Sequence, residues 1–80
     1  MKTQKRIVVL KERWVFIGLW HDATDQEPAY LTEAACIRRW GTTAGLGQIA
    51  LSGPTKETIL DPCGIVVIER EALLFSIPCL

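Results

Sequence analysis

Ala29-Tyr30-Leu31-Thr32-Glu33-Ala34-Ala35-Cys36-Ile37-Arg38-Arg39-Trp40 is the stretch on which the fold turns. Tyr30, Leu31, Ala34, Ala35 and Ile37 fall near one helical face. Pro28 stands ahead of them in a first-turn position, and Gly41 behind them as a stop. The same residues also divide into two short strands, Ala29–Thr32 and Cys36–Trp40, around a turn at Glu33-Ala34. The local pattern leans to the helix; two strands would make the chain mainly β.

The flanking segments are extended. Ile7-Val8-Val9-Leu10 is a short β-branched run of the kind buried in a sheet. Lys11-Glu12 interrupts it. Arg13 to Trp20 then reads as a second strand, with Trp14, Phe16, Gly18 and Trp20 on one face and Val15, Ile17 and Leu19 on the other. A strand apolar on both faces has one side for the core and one for a partner, so Trp14, Phe16 and Trp20 are candidate interface residues. His21 to Pro28 is a polar loop. After Trp40, a glycine- and threonine-rich loop leads into about one helical turn at Gln48–Leu51, stopped by Ser52-Gly53-Pro54-Thr55. Thr58-Ile59-Leu60 is extended. Asp61-Pro62-Cys63-Gly64 has the residue order of a β-turn, and Ile65–Ile68 is a strand. Glu69-Arg70-Glu71 is a charged turn before a last strand, Ala72–Ile77. The expected architecture is one domain over residues 1–80: a small antiparallel sheet or partly closed barrel with one short helix near residues 45–52.

Composition excludes several classes of function. Eighty residues, 49% of them hydrophobic, form a core near the lower limit of independent stability, which points to a homo-oligomer. Nine basic and nine acidic residues cancel, removing the broad positive field of a non-specific nucleic-acid binder. Three cysteines without a CxxC pair and one histidine make neither a zinc signature nor a disulfide framework, so a reducing cytoplasm is expected. Nothing approaches the ~18 apolar residues of a membrane span, and Lys11, Glu12 and Arg13 break any signal-peptide pattern.

The densest chemistry lies in Arg38 to Gly47. Arg38 and Arg39 offer guanidinium forks suited to phosphate, and Trp40 offers a stacking face. Gly41, Gly45 and Gly47 expose backbone N–H groups of the kind that form anion-binding nests, while Thr42 and Thr43 add hydroxyls. Thr55 and Lys56 would form a second rim if the chain brings the two segments together. The competing reading is an exposed strand end, a glycine turn and a helix cap; the loop is neither a Walker loop nor a dinucleotide fingerprint. No spacing unites His21 and Cys63 with Asp22, Asp25 or Asp61 in a nucleophile–base set, and no carboxylate pair is poised for acid–base work. The expectation is binding without catalysis and without a cofactor.

The string Ile37-Arg38-Arg39-Trp40-Gly41-Thr42-Thr43, followed by Gly45-Leu46-Gly47, Ala50, Gly53-Pro54-Thr55, Leu60-Asp61-Pro62-Cys63-Gly64 and Ser76-Ile77-Pro78-Cys79, resembles a group of very short phage- and prophage-encoded proteins. The resemblance covers most of the chain from Tyr30 onward. It implies an extended conformation before Arg38 and an accessory product working in the cytoplasm of an infected bacterium. Proteins of that kind serve as structural parts, as host-protein inhibitors, or as oligomers that sequester nucleotide immune signals. The Arg/Trp/Gly/Thr inventory places a nucleotide-like anion first among these expectations, and a protein-interaction module second.

Overall fold

In the computed structural model, which describes residues 4–43 and 45–80, the chain is mainly β. The strands are β1 (Gln4–Leu10), β2 (Val15–His21), β3 (Ala29–Arg39), β4 (Ile59–Ile68) and β5 (Leu73–Pro78), with one helix, α1 (Leu46–Ser52), between β3 and β4. They form one antiparallel sheet in the order β4-β3-β2-β1-β5. Ala44, inside the Arg38 to Gly47 stretch, lies outside the described residues.

The ambiguous stretch is neither a helix nor two strands around a turn. It is one eleven-residue strand, and the expected turn at Glu33-Ala34 is a bulge. Against β2, Ile17 pairs with Ala35 and Leu19 with Thr32, so Gly18 faces both Glu33 and Ala34. Glu33 is the extra residue, at a φ of 48°. A bulge slips the alternation by one position. Ala29, Leu31 and Ala34 therefore pack in one cluster while Ala35 and Ile37 join the other. This slip generated the apparent helical spacing, because a period of two with one inserted residue puts Leu31 and Ala34, on one face, three apart and sets the opposite-face pair Ala35 and Ile37 directly after them.

A second expectation is corrected on the neighbouring strand. Asp61-Pro62-Cys63-Gly64 is not a β-turn but the middle of β4. Ala35 pairs with Pro62 and Ala34 with Gly64, leaving Cys63 as the extra residue, and Gly64 takes a φ of 80°. Proline survives in this strand because β4 is an edge, where a missing N–H costs no second ladder. The residues that favour a turn here make a bulge.

Those irregularities bend the sheet. β4 and β5 are the two outer strands, yet only Glu69–Ala72 separates them in sequence, with the Ala72 N–H donating to the Glu69 carbonyl at 3.0 Å. The outer strands of a flat five-stranded sheet would be about 19 Å apart, whereas such a turn spans under about 7 Å. The sheet therefore curls until the end of β4 meets the start of β5. The two edges are not hydrogen-bonded to each other, so the barrel stays open.

The core has two parts. On one face, α1 lays Leu46, Ile49 and Ala50 over Ile7, Val15, Ile17 and Ile37. On the other, Val8, Ala29, Leu31, Ala34 and Ile68 are buried with Leu10, Phe16, Trp20, Val66 and Leu73 around them. Val8 and Leu31 are fully buried within this helix-free cluster; the curl is what covers them, and each such burial contributes about 1.5–3 kcal/mol. No helix among the described residues is long and apolar enough to cross a membrane.

Gly18 tests this geometry. A Cβ there would lie 3.0 Å from the Thr32 carbonyl oxygen, 3.1 Å from Ala34 Cα and 3.2 Å from Leu31 Cβ. Gly18→Ala is expected to lower stability by about 1–3 kcal/mol in urea unfolding. Gly47→Ala, within α1 and facing open space, is expected to raise it by about 0.5–1 kcal/mol.

Candidate functional site

The two segments singled out in the sequence do come together. Thr55 Oγ1 donates to the Gly41 carbonyl at 2.6 Å, and Thr58 Oγ1 donates to the Trp40 carbonyl at 2.5 Å. The backbones touch: a Cβ on Gly41 (φ 63°) would lie 2.3 Å from the Glu57 carbonyl carbon. Around them, Thr55 Oγ1 accepts from the Glu57 N–H, and the Thr55 N–H donates to Thr58 Oγ1. Thr42 Oγ1 donates to the Gly45 carbonyl at 2.8 Å, and Thr43 Oγ1 to Gln48 Oε1 at 3.2 Å. The rim is a zipper. Its hydroxyl protons are spent on the protein's own acceptors, and Gly41 is required for close approach of two backbones.

The arginines separate. Arg38 falls at an irregularity between Ile37 and Arg39 and reaches across to β4, with Nε 2.9 Å from Asp61 Oδ2 and Nη2 3.4 Å from Oδ1. The side chains are 64% and 49% exposed, so the pair adds little stability, but it occupies the fork that phosphate would need. Arg39 is exposed and has no hydrogen-bond or ion-pair partner among the described residues. Trp40 and Lys56 are exposed nearby on the same zipper, and Trp40 lies over Gly45. Of the seven expected ligand-binding residues that would act through a side chain, Arg39, Trp40 and Lys56 keep their functional groups free.

Two adjoining open cavities lie elsewhere, where the 22–28 loop meets the 69–72 turn. One, of about 490 Å³, has Trp20, Ala29, Ile68 and Leu73 as an apolar lining with Asp22 and Arg70 at its edge. The other, of about 500 Å³, is lined by Thr24 to Pro28 and Glu69 to Glu71, an acidic surround. Trp20 is held by its indole N–H, which donates to Asp22 Oδ1 at 2.5 Å, and by the Arg6 guanidinium 5.3 Å from the ring centroid. It is half-buried at the cavity edge, with its ring fixed in place by these two contacts. The sequence announced these cavities only as two charged loops.

The exposed apolar surface is spread over the two outer strands, the start of β2, Trp40, Leu51 on α1 and Leu80. Trp14 is exposed and stacked on Phe16, with centroids 6.4 Å apart. Leu74 and Phe75 on β5 and Ile65 and Val67 on β4 are likewise exposed. Sequence reasoning named Trp14 and Phe16 but placed the other four only on strands, because a run without polar residues does not reveal which side of an edge strand meets water.

No nucleophile–base pair is assembled from His21 and Cys63. His21 Nε2 is 2.9 Å from Thr32 Oγ1, and its ring stacks on Tyr30 at 4.4 Å. Cys63 lies opposite Ala34–Ala35, roughly 15 Å farther along β3 than Tyr30, which pairs with His21. Burial raises the Cys36 thiol above its ordinary range, with Cys63 and Asp61 adding to the effect. Burial likewise raises Cys79, against the opposing pull of Lys5. Among the described residues no group of His, Cys, Asp and Glu is arranged to hold a metal ion. Comparison with protein-family models, curated proteins and solved structures finds no match for the chain.

Two outcomes are expected. Gly41→Ala forces the zipper apart and costs about 2–4 kcal/mol by thermal or urea unfolding. Maleimide labelling at neutral pH reaches exposed Cys63 before Cys36 and Cys79, whose thiols are partly covered and less ionised. Because the folded chain holds those two protons more tightly than the unfolded chain, their stabilisation is complete below the unfolded thiol pKa. It is lost as pH rises through the folded value.

Proposed function

We propose that this chain is a non-enzymatic protein-interaction module that binds a target protein through one end of its sheet. The observation carrying this reading is the exposure of Trp14, Leu74 and Phe75 at one end of the sheet, with Trp14 on the face of Phe16 and Phe75 on the face of Val9. The pairings Val9↔Val15, Val9↔Phe75 and Leu10↔Leu73 set the start of β2 and the first half of β5 on either side of the same end of β1. All three side chains are more than half exposed. Exposed aromatic and aliphatic side chains around one rigid strand end are the kind of anchor that protein interfaces use. The resemblance to short phage-encoded proteins supplies a setting: the cytoplasm of an infected bacterium, with the chain acting as a host-protein inhibitor or assembly component.

Affinity capture with the full chain tests this reading. Trp14→Ala and Phe75→Ala are each expected to weaken the captured complex about 30-fold or more, the size of an interface hot spot. Capture that is indifferent to both substitutions contradicts the reading.

A second reading, a nucleotide-like anionic ligand, retains one specific observation: Arg39 is without a partner beside exposed Trp40 and Lys56. Calorimetry against a panel of cyclic and ADP-ribose-derived nucleotides addresses it. Binding abolished by Arg39→Ala and indifferent to Arg38→Ala would favour it; silence across the panel from folded protein removes it.

A further inference from the structure

We infer that the β4 edges of two copies of this chain pair antiparallel across a two-fold axis, joining two curled sheets into one ten-stranded sheet. The inference is independent of the target-binding reading, which uses the opposite edge.

β4 is an unprotected edge. Proteins ordinarily blunt a free edge strand with charge, proline or a bulge, because its unpaired N–H and C=O groups accept any other strand. In β4 the proline and the bulge are confined to the first half. From Gly64 to Ile68 the strand carries no charge and no proline, and Val66, Val67 and Ile68 keep an unbroken register with Leu31, Tyr30 and Ala29. Ile65 and Val67, two apart and so on one face, are 68% and 51% exposed.

The partner that fits is a second copy. Self-pairing of this stretch about Val66 sets Ile65 against Val67 of the second copy and Val67 against its Ile65, and it opposes no like charges, since the run from Pro62 to Ile68 is uncharged and Asp61 is already paired with Arg38. An isologous contact of this kind closes at two subunits and leaves no growing end. The surface area agrees. A compact folded monomer of 8.9 kDa is expected to expose about 4,800 Å². This chain exposes 5640 Å². The excess is about the 800 Å² that each partner gives to a standard interface.

β5, the other edge, is less suited to a symmetric contact. It is six residues long, has a register shift against β1 between Val9 and Leu10, and ends at Pro78, which lacks an N–H. Two-fold pairing there would lack the Pro78 N–H at the end of its longest unbroken register.

Light scattering on the size-fractionated full chain reads the outcome directly. The wild-type chain is expected at twice 8.9 kDa. Val67→Lys and Ile65→Lys, which set a charge against an apolar side chain across the axis at already exposed positions, are each expected to halve the mass with strand circular dichroism retained. Leu74→Lys on the opposite edge is expected to leave the doubled mass unchanged. A monomeric wild-type chain at high-micromolar concentration overturns the inference. So does a doubled mass that survives in both folded β4 variants, or one abolished by Leu74→Lys. If one β4 variant fails to fold, the other decides.

Discussion

The close approach of Gly18 to β3 is the contact on which the rest of the structure depends. Glu33 adds one residue to β3 that β2 cannot match, and the sheet absorbs it only because Gly18 has no side chain to collide with the Thr32 carbonyl and the Ala34 backbone. Two consequences follow. The apolar phase of β3 switches, so Leu31 and Ala34 face one core while Ala35 and Ile37 face the other. The local twist and bend also increase, and the curl lets a four-residue turn join the two outermost strands.

From that curl comes the division of the surface. One face of the sheet is covered by α1 and the other by the sheet's own curvature, which accounts for complete burial of Val8 and Leu31 with no second helix. The sheet remains open because β4 and β5 meet at a turn and not along a ladder. Of the exposed apolar residues, Leu74 and Phe75 lie on one outer strand, Ile65 and Val67 on the other, and Trp14 just ahead of β2. The glycine–threonine segments have a structural role in this arrangement. Thr55 and Thr58 fasten the return into β4 onto the end of β3, and Gly41 lets the two backbones touch.

The elements legible in the sequence were those whose signal is local. β-branched runs marked β1, the last half of β4 and most of β5; Gln48–Leu51 marked the helix; Glu69–Glu71 marked the turn that closes the curl. The β3 stretch was ambiguous because a bulge mixes two periods, and only the pairing partner shows which residue is extra. Asp61–Gly64 misled for a related reason: proline and positive-φ glycine serve a bulge on an edge strand as well as a turn. In the candidate site, residue types were right and their availability was not. Arg38 and the threonines have the chemistry to grip an anion, but Asp61 and the zipper's acceptors already engage them. Long-range pairing of that sort leaves no mark on local spacing.

Cross-strand nuclear Overhauser contacts around Gly18 test the central claim most directly. One bulged strand over Ala29–Arg39 predicts contacts from Gly18 to Ala34 and Thr32, together with contacts between Ile17 and Ala35 and between Tyr30 and Val67. Successive amide–amide contacts and i to i+3 contacts from Tyr30 to Ile37 would instead report a helix. They would contradict the bulge, the curl and the edges that follow from it.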